Sequence, residues 1–405
     1  MLRTETRFVS MPSSNGQLHL SWLWHRSGNA RITRVRTRRF MSTVVSVKRV
    51  EPVMPRTPLH GRGHAFRRKA VAWLLRHLLP ARDNLVGPGQ LPRIGIQRIL
   101  VCRPNHRLGN TVLLTSLMSE IERHFPGAEV DVLGSGETTR SIFGGFATIG
   151  ELFLLDRRAL RRPLATTRTL RRLSSKRYDL VIDAASGSSS GRIAAGMAKA
   201  RYQVRIEGTD GDAPVHFAAR PVHALRQALG EQRLDPVPAL DLRLTTAERE
   251  RGAATLERVL QGSPANDAPI LAIFPNATGR KRLDGTWWQT FVDELVRRAG
   301  PFRIVELVAA DGQSRIGNAY PTYFTSDPRK LAAFIDAAGT YVSADCGVMH
   351  LAAATRAVTI GIFGTTDPDR YAPFGGRNMG FRSDEGCPLA AATRVAAHLR
   401  QSGAI

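Results

Sequence analysis

Tyr341-Val-Ser-Ala-Asp-Cys-Gly-Val-Met-His350-Leu-Ala-Ala-Ala-Thr-Arg-Ala-Val-Thr-Ile-Gly-Ile-Phe363 is the stretch on which the fold turns. Its apolar runs Tyr341–Ala344 and Val358–Phe363 are short and uncharged, which reads as two buried strands. Between them an Asp-Cys-Gly turn leads into a helix over His350–Thr355. Strand, turn, helix and strand in so few residues make the parallel crossover of an open α/β sheet.

The same alternation continues outward in both directions. Ile270–Phe274 reads as a strand, followed by a Gly/Arg/Lys loop, a helix over Trp287–Arg298, a strand over Arg303–Val308 and a helix over Lys330–Ala338. Upstream, Arg98–Arg103 (RILVCR) is a strand, followed by the polar turn Arg103–Asn110 and a helix through about His124. Glu129–Leu133, Leu152–Leu155 and Leu180–Asp183 are further strands, the last before a Gly/Ser-rich turn, Ser186–Ser190, and a helix. Residues 244–268 read as a charged helix and a Gly/Ser/Pro/Asn linker. The fold class is therefore α/β. Two Rossmann-like domains, 97–243 and 269–405, are joined through 244–268 and face a central cleft.

Composition narrows the function. With 405 residues, 42% of them hydrophobic and 23% charged, the chain can bury a core, which excludes a disordered or fibrous protein. No run approaches the roughly 18 apolar residues of a membrane-spanning helix. The three cysteines, Cys102, Cys346 and Cys387, form no C-x-x-C pair, so neither a disulfide scaffold nor a cysteine zinc site is expected, and a reducing compartment suits them.

The net charge of +24 is unevenly placed. Residues 1–96 hold 18 Lys/Arg against Glu5, Glu51 and Asp83, a net +15, which leaves +9 for the other 309 residues. Residues 1–96 are thus a basic N-terminal extension. Its first 60 residues lack periodicity and carry Arg31, Arg34, Arg36, Arg38 and Arg39, so disorder is expected there. The segment is Arg-rich and acid-poor like a transit peptide, without a secretory apolar core, and Met41 and Met54 are alternative starts. Residues 66–79 (FRRKAVAWLLRHLL) form an amphipathic helix with Val71, Leu74, Leu75 and Leu78 in one stripe. Two readings stand for it: lying on an anionic membrane, or packing on its own domain. A second basic run, Arg157, Arg158, Arg161, Arg162, Arg168, Arg171, Arg172, Lys176 and Arg177, reads as one helix whose density favours an anionic partner over a merely solvated face.

In open α/β sheets, ligands sit at the carboxyl ends of the strands. Asp345-Cys346-Gly347-Val348-Met349-His350 is such a turn: Gly347 admits a close ligand, and His350 can donate to a phosphate oxygen. The plain alternative makes Asp345 an N-cap and His350 a structural histidine. Asn276-Ala277-Thr278-Gly279-Arg280-Lys281-Arg282 is a hydroxylated, cationic turn suited to a diphosphate, without Walker A spacing. Gly364-Thr365-Thr366-Asp367-Pro368 is a turn by composition and a binding loop by position. In the first half, Arg103, His106 and Arg107 reach the cleft side of the first turn.

Together these turns resemble glycosyltransferase family nine, the bacterial lipopolysaccharide heptosyltransferases. D-C-G-V-M-H-L-A-A-A resembles the family's D-[ST]-G-x-x-H-L-x-A-A, followed by F-G-T-T-D-P. N-A-T-G-R-K with its following W-W resembles the A-[ST]…K…W element, and R-L-G-N-T-V-L-L-T-S-L with F-P-G-A-E-V-D-V-L-G resembles the family's opening. The resemblance runs from about Arg98 to Pro373 and leaves the extension uncovered. It implies a GT-B fold and an inverting hexosyl or heptosyl transfer from a nucleotide diphosphate sugar, ADP-heptose, as co-substrate. Neither a metal nor a resident cofactor is implied.

The implied acceptor is an anionic lipid-linked core saccharide at the cytoplasmic face of the inner membrane, with the enzyme a peripherally held monomer. Thr278, Lys281, Asp345, Gly347, Met349, His350 and Thr366 would bind the donor, and Arg103 and Arg107 acceptor phosphates. Two departures stand out. Where the family has a catalytic Asp after the first-strand glycine, this chain has Asn110, and an amide cannot take the acceptor's proton. His106, four residues upstream, is the candidate replacement; the plain readings are a solvated loop histidine and, for Asn110, a helix N-cap. Cys346 in place of Ser/Thr is milder. The alternative function is a catalytically impaired GT-B protein that binds nucleotide or glycan. Nucleic acid is not an expected partner, since no zinc-finger, RNP or homeodomain signature occurs.

Overall fold

The structure, a computed structural model, describes residues 84–405 apart from 157–162, 185–188, 207–212, 232–234, 262–266 and 384–385, together with the backbone of 34–35 and 44–45. The expected disorder of residues 1–60, the helix over 66–79, Arg157, Arg158, Arg161, Arg162 and most of Ser186–Ser190 lie outside the described residues. The chain divides into Met1–Lys69 and Ala70–Ile405. In the first unit Arg34–Val35 pairs antiparallel with Val44–Val45. The second holds two all-parallel sheets.

The first sheet has strands β1 (Arg98–Cys102), β2 (Glu129–Ser135), β3 (Ile149–Leu155), β4 (Arg177–Asp183) and β5 (Lys199–Arg205), in the order β3-β2-β1-β4-β5. The second has β6 (Ile270–Phe274), β7 (Arg303–Leu307), β8 (Thr322–Tyr323), β9 (Thr340–Ala344), β10 (Val358–Phe363) and β11 (Met379–Arg382), in the order β8-β7-β6-β9-β10-β11. Both orders start in the middle and reverse once, the doubly wound topology of the Rossmann fold. Each order opens a crevice at its switch point: β1 beside β4, and β6 beside β9.

The helices of the first lobe are α1 (Leu108–Val112), α2 (Thr115–His124), α3 (Gly136–Phe143), α4 (Pro163–Ser175), α5 (Ser189–Met197) and α6 (Ala219–Ala228). Then come α7 (Thr246–Val259), α8 (Gly285–Ala299), α9 (Pro328–Ala338), α10 (Gly347–Ala353), α11 (Pro368–Tyr371) and α12 (Pro388–Gln401). Successive residues of the central strands go to opposite cores. Ile99 and Val101 enter one apolar cluster while Leu100 and Cys102 enter another, and Leu271 and Ile273 part from Ala272 in the same way. Helices therefore cover both faces, which is why these strands read as unbroken apolar runs. Each large aliphatic side chain so buried contributes roughly 1.5–3 kcal/mol.

α10 is one of the places where the lobes meet. Leu351, Ala353 and Ala354 join the first lobe's core, whereas Met349 and Ala352 join a core of the second sheet. The alanines keep the side chains small enough for both sheets to approach one short helix. α7 starts on a capping box, Thr245 with Glu248, and packs on α9 through Leu256, Phe334 and Ile335.

Three expectations change. The helix expected after Asn110 is two helices, α1 and α2, broken at Leu113–Leu114. Arg177 opens β4 and is not part of the basic helix, because the chain enters the sheet there. β5, β8, β11, α3, α6, α11 and α12 have no counterpart in the expected elements. Among the described residues no helix is long and apolar enough to cross a membrane.

Candidate active site

At the switch point of the second sheet two charges meet. Lys281 comes from the turn after β6 and Asp345 from the end of β9. The Lys281 ammonium stands 2.6 Å from Asp345 Oδ2. Gly279 at φ 62° bends the Gly279–Lys281 turn into the left-handed region that favours glycine, which returns the lysine toward the sheet. From the turn after β10, the Thr366 hydroxyl donates to the same carboxylate oxygen. Asp345 is buried, so both donors are needed to offset its desolvation. Lys281 is half-buried and, among the described residues, spends one of its three N–H donors, on Asp345.

Asp345 is not the N-cap of α10: Cys346 holds that place, and no side chain caps the helix. The Cys346 sulfur is 3.7 Å from Ser343 Oγ, and burial pushes its thiol pKa up. His350 lies one turn into α10, 5% exposed, with Nδ1 buried and without a partner among the described residues. Burial pushes its pKa down to about 4; the Asp345 carboxylate pulls it upward, while His216 and Lys281 push it down further. At neutral pH it is an uncharged ring that can donate one hydrogen bond. Met349 is buried under Gly361, where a Cβ would stand 2.4 Å from its sulfur. Thr278 is exposed at the head of the Lys281 turn.

The first lobe comes to this site through its own turn. Gly109 on α1 packs against α10: a Cβ there would stand 2.6 Å from His350 Cδ2, and one on Gly347 would stand 3.4 Å from the Gly109 nitrogen. The next residue, Asn110, is half-buried inside α1. It is not an N-cap, a place taken by Arg107. His106 and Arg107 are exposed, and the Arg107 amide donates to Asn105 Oδ1 at 2.9 Å, which shapes the turn. Arg103 stands just after β1 at the first sheet's switch point, its guanidinium donating to the Ala184 carbonyl at 2.5 Å across the end of β4. Its Nε has no partner among the described residues, and burial pushes its pKa down to about 10 against the opposing influence of Tyr371.

Lys281, Asp345, Thr366, Gly347 and His350 are thus gathered in one place, with Gly109 and Asn110 reaching it from the other lobe. The gathering includes a residue that no local pattern marked. His216, before α6, lies near enough to His350 to depress its pKa. It reaches Ala372, 156 positions away, a contact that only the tertiary fold reveals.

Among the described residues one group, Glu120, His124 and Glu231, brings metal-type ligand atoms within 4.8 Å of one another. Arg226 already grips both oxygens of Glu120, at 2.6 and 3.0 Å, so that carboxylate is neutralised without an ion.

Residues 329–395, which include the Asp345–His350 turn, match the model of glycosyltransferase family 9 (heptosyltransferase). None of the curated proteins matches the chain in sequence. Solved structures match its fold. The glycosyl transferase family 9 from Veillonella parvula DSM 2008 is 15% identical with a TM-score of 0.61, over 77% of this chain and 99% of that one. E. coli heptosyltransferase WaaC is 18% identical at 0.57, over 76% and 100%. E. coli ADP-heptose lps heptosyltransferase II is 16% identical at 0.58, again over 76% and 100%. The chain is a GT-B protein, with two parallel α/β sheets like those heptosyltransferases, and its residues 329–395 carry the signature of glycosyltransferase family 9.

Proposed function

We propose that the protein transfers a heptose, with inversion, from ADP-heptose to an anionic saccharide of the bacterial envelope. Fold and signature support a glycosyltransferase, and two of the similar E. coli structures hold ADP or ADP-2-deoxy-2-fluoro heptose. The observation that carries the reading is the cluster of Lys281, Asp345 and Thr366 at the second sheet's switch point. In such a transfer the acceptor hydroxyl attacks the anomeric carbon, and negative charge develops on the leaving diphosphate. Lys281 offers its remaining N–H donors to that charge, the electrostatic contribution that usually dominates. His350, kept neutral by burial, adds a hydrogen bond without adding a second cation. Thr278, Gly347 and Met349 complete the donor side.

On the acceptor side Arg103 and Arg107 supply cations for phosphate groups. Arg168, Arg171 and Arg172 are exposed on α4, and they suit an anionic acceptor held at the cytoplasmic face of the inner membrane. The proton of the acceptor hydroxyl needs a base. Asn110 cannot be one, so His106, exposed four residues earlier, takes that role in this reading. Asn110 also favours a second reading, a nucleotide- and glycan-binding protein with little turnover. One assay separates the two: full-length protein with ADP-heptose and extracted core saccharide, measured for ADP release and sugar incorporation. Transfer by the parent that His106→Ala reduces by 10² to 10⁴ supports the enzyme. A silent parent that Asn110→Asp makes active supports the binding protein. No turnover from either with any nucleotide sugar removes the transferase reading.

A further inference from the structure

The segment carrying Thr366 is gripped from the opposite lobe. His216 Nε2 donates to the Ala372 carbonyl at 2.9 Å, while its Nδ1 accepts from the Ala218 amide at 3.1 Å, so the neutral ring uses both nitrogens in one tautomer. The same ring stacks on Phe374, with centroids 4.7 Å apart. Beside it the Phe217 amide donates to the Arg370 carbonyl at 3.2 Å, and the Phe217 ring lies 4.8 Å from that of Tyr371. The gripping loop is itself braced, since Arg220 donates to the Pro214 and Val215 carbonyls and its guanidinium covers Phe217 at 4.3 Å.

What this loop holds is α11 and the residues after it. Their other side is packed on the second sheet: Pro373 lies over Gly361, where a Cβ would come within 3.2 Å of it, and Ala372 lies over Gly380, where a Cβ would come within 2.6 Å. α11 is capped by Asp367, whose side chain accepts from the Asp369 amide, and Thr366 is the residue immediately before that cap. A short, capped helix between two fixed surfaces transmits position. Where Ala372 and Phe374 are held decides where the Thr366 hydroxyl meets Asp345.

We propose that His216 is a positioning residue: by clamping Ala372 and Phe374 from the first lobe, it sets Thr366 on Asp345 and so the grip of the second lobe on a donor diphosphate. His216 does this without touching the donor. The proposal rests on the donor reading above and adds to it that the first lobe tunes nucleotide affinity through a contact outside the reacting groups.

The experiment is calorimetric titration of the full chain with ADP, for the parent, His216→Ala and His216→Gln, alongside thermal melting of each. Gln can still donate an N–H to the Ala372 carbonyl; Ala cannot. The expected result is a Kd for ADP raised about tenfold in His216→Ala and within threefold of the parent in His216→Gln. Where transfer is measured, KM for the donor rises more than kcat falls. A clamp that merely stabilised the fold would lower the melting temperature and leave Kd unchanged. A His216→Ala Kd within twofold of the parent overturns the proposal. If His216→Ala does not fold, Phe374→Leu, which removes the ring stacking and keeps an apolar side chain in place, is used instead: a threefold weaker Kd supports the clamp and an unchanged one overturns it. A parent without affinity for ADP overturns the donor reading and the clamp together, whereas a parent that binds and variants that bind equally well overturn the clamp alone.

Discussion

The two switch points occupy equivalent places in their sheets and are built on opposite electrical plans. In the second lobe a cation from the first strand's turn, Lys281, meets a carboxylate at the end of the fourth, Asp345. In the first lobe a cation just after the first strand, Arg103, donates to the backbone carbonyl of Ala184 and forms no ion pair among the described residues. One crevice is charge-balanced and hydroxyl-braced; the other holds a half-buried guanidinium whose Nε has no partner among the described residues. A buried charge without a counter-charge is costly, and the cost is relieved when an anion arrives. Under the proposed transfer, the donor side is prebuilt around its own ion pair, while the acceptor side keeps positive charge for an anionic partner. Asn110 deepens the contrast, since it withholds a carboxylate from the first lobe's turn.

The strongest way to break the contrast is to supply that carboxylate. Asn110→Asp places an acid one residue from the Gly109 contact with His350; with His106 already acting as base kcat stays within about threefold, whereas a parent that lacks a base gains about 10² to 10⁴. Steady-state transfer assays check this; an unchanged kcat assigns proton removal to another group.

Acidity tests the donor side next. His350 has a pKa near 6.5 in the unfolded chain and about 4 when folded. Between those values the unfolded state binds more protons. The stability that His350 contributes is therefore complete above pH 6.5 and is lost as pH falls toward 4, by on the order of 3 kcal/mol. His216, whose pKa burial also lowers, adds in the same direction. Melting curves at pH 7, 5 and 4 should show a steeper loss for the parent than for His350→Gln. Equal slopes would mean that His350 is not buried neutral.

The smallest effect is expected where the two sides touch. Gly109→Ala gains about 0.5–1 kcal/mol of helix propensity. Its Cβ would nevertheless stand 2.6 Å from the His350 ring, and relieving such overpacking typically costs 1–3 kcal/mol. A net loss of about 1 kcal/mol in urea unfolding is expected. A stabilised variant would show that α1 and α10 part freely.

Legibility in the sequence followed burial. β1, β6, β9 and β10 lie inside their sheets, and their apolar runs give their limits to within a residue. β5 (KARYQVR) is an edge strand with charged residues on its exposed positions, and β8 and β11 have only two and four residues, too few for a period to show. The break between α1 and α2 falls at Leu113–Leu114, inside an apolar stretch that gives no stop signal. In the site, Lys281, Asp345, Thr366 and His350 each stood in a turn after a strand, so topology alone brought them together. His216 stands in the connection from β5 to α6, after a strand whose exposed charges hid it from the sequence pattern. Its importance arises from a contact between lobes, which composition and spacing do not encode.

The central claim is that the Lys281–Asp345–Thr366 cluster grips a nucleotide diphosphate. Titration of ADP into the parent and into Lys281→Ala tests it most directly. A charge-assisted hydrogen bond contributes about 1.5–3 kcal/mol, so the account predicts binding by the parent and affinity lower by about ten- to a hundredfold in Lys281→Ala. Equal affinity in the two proteins would contradict it.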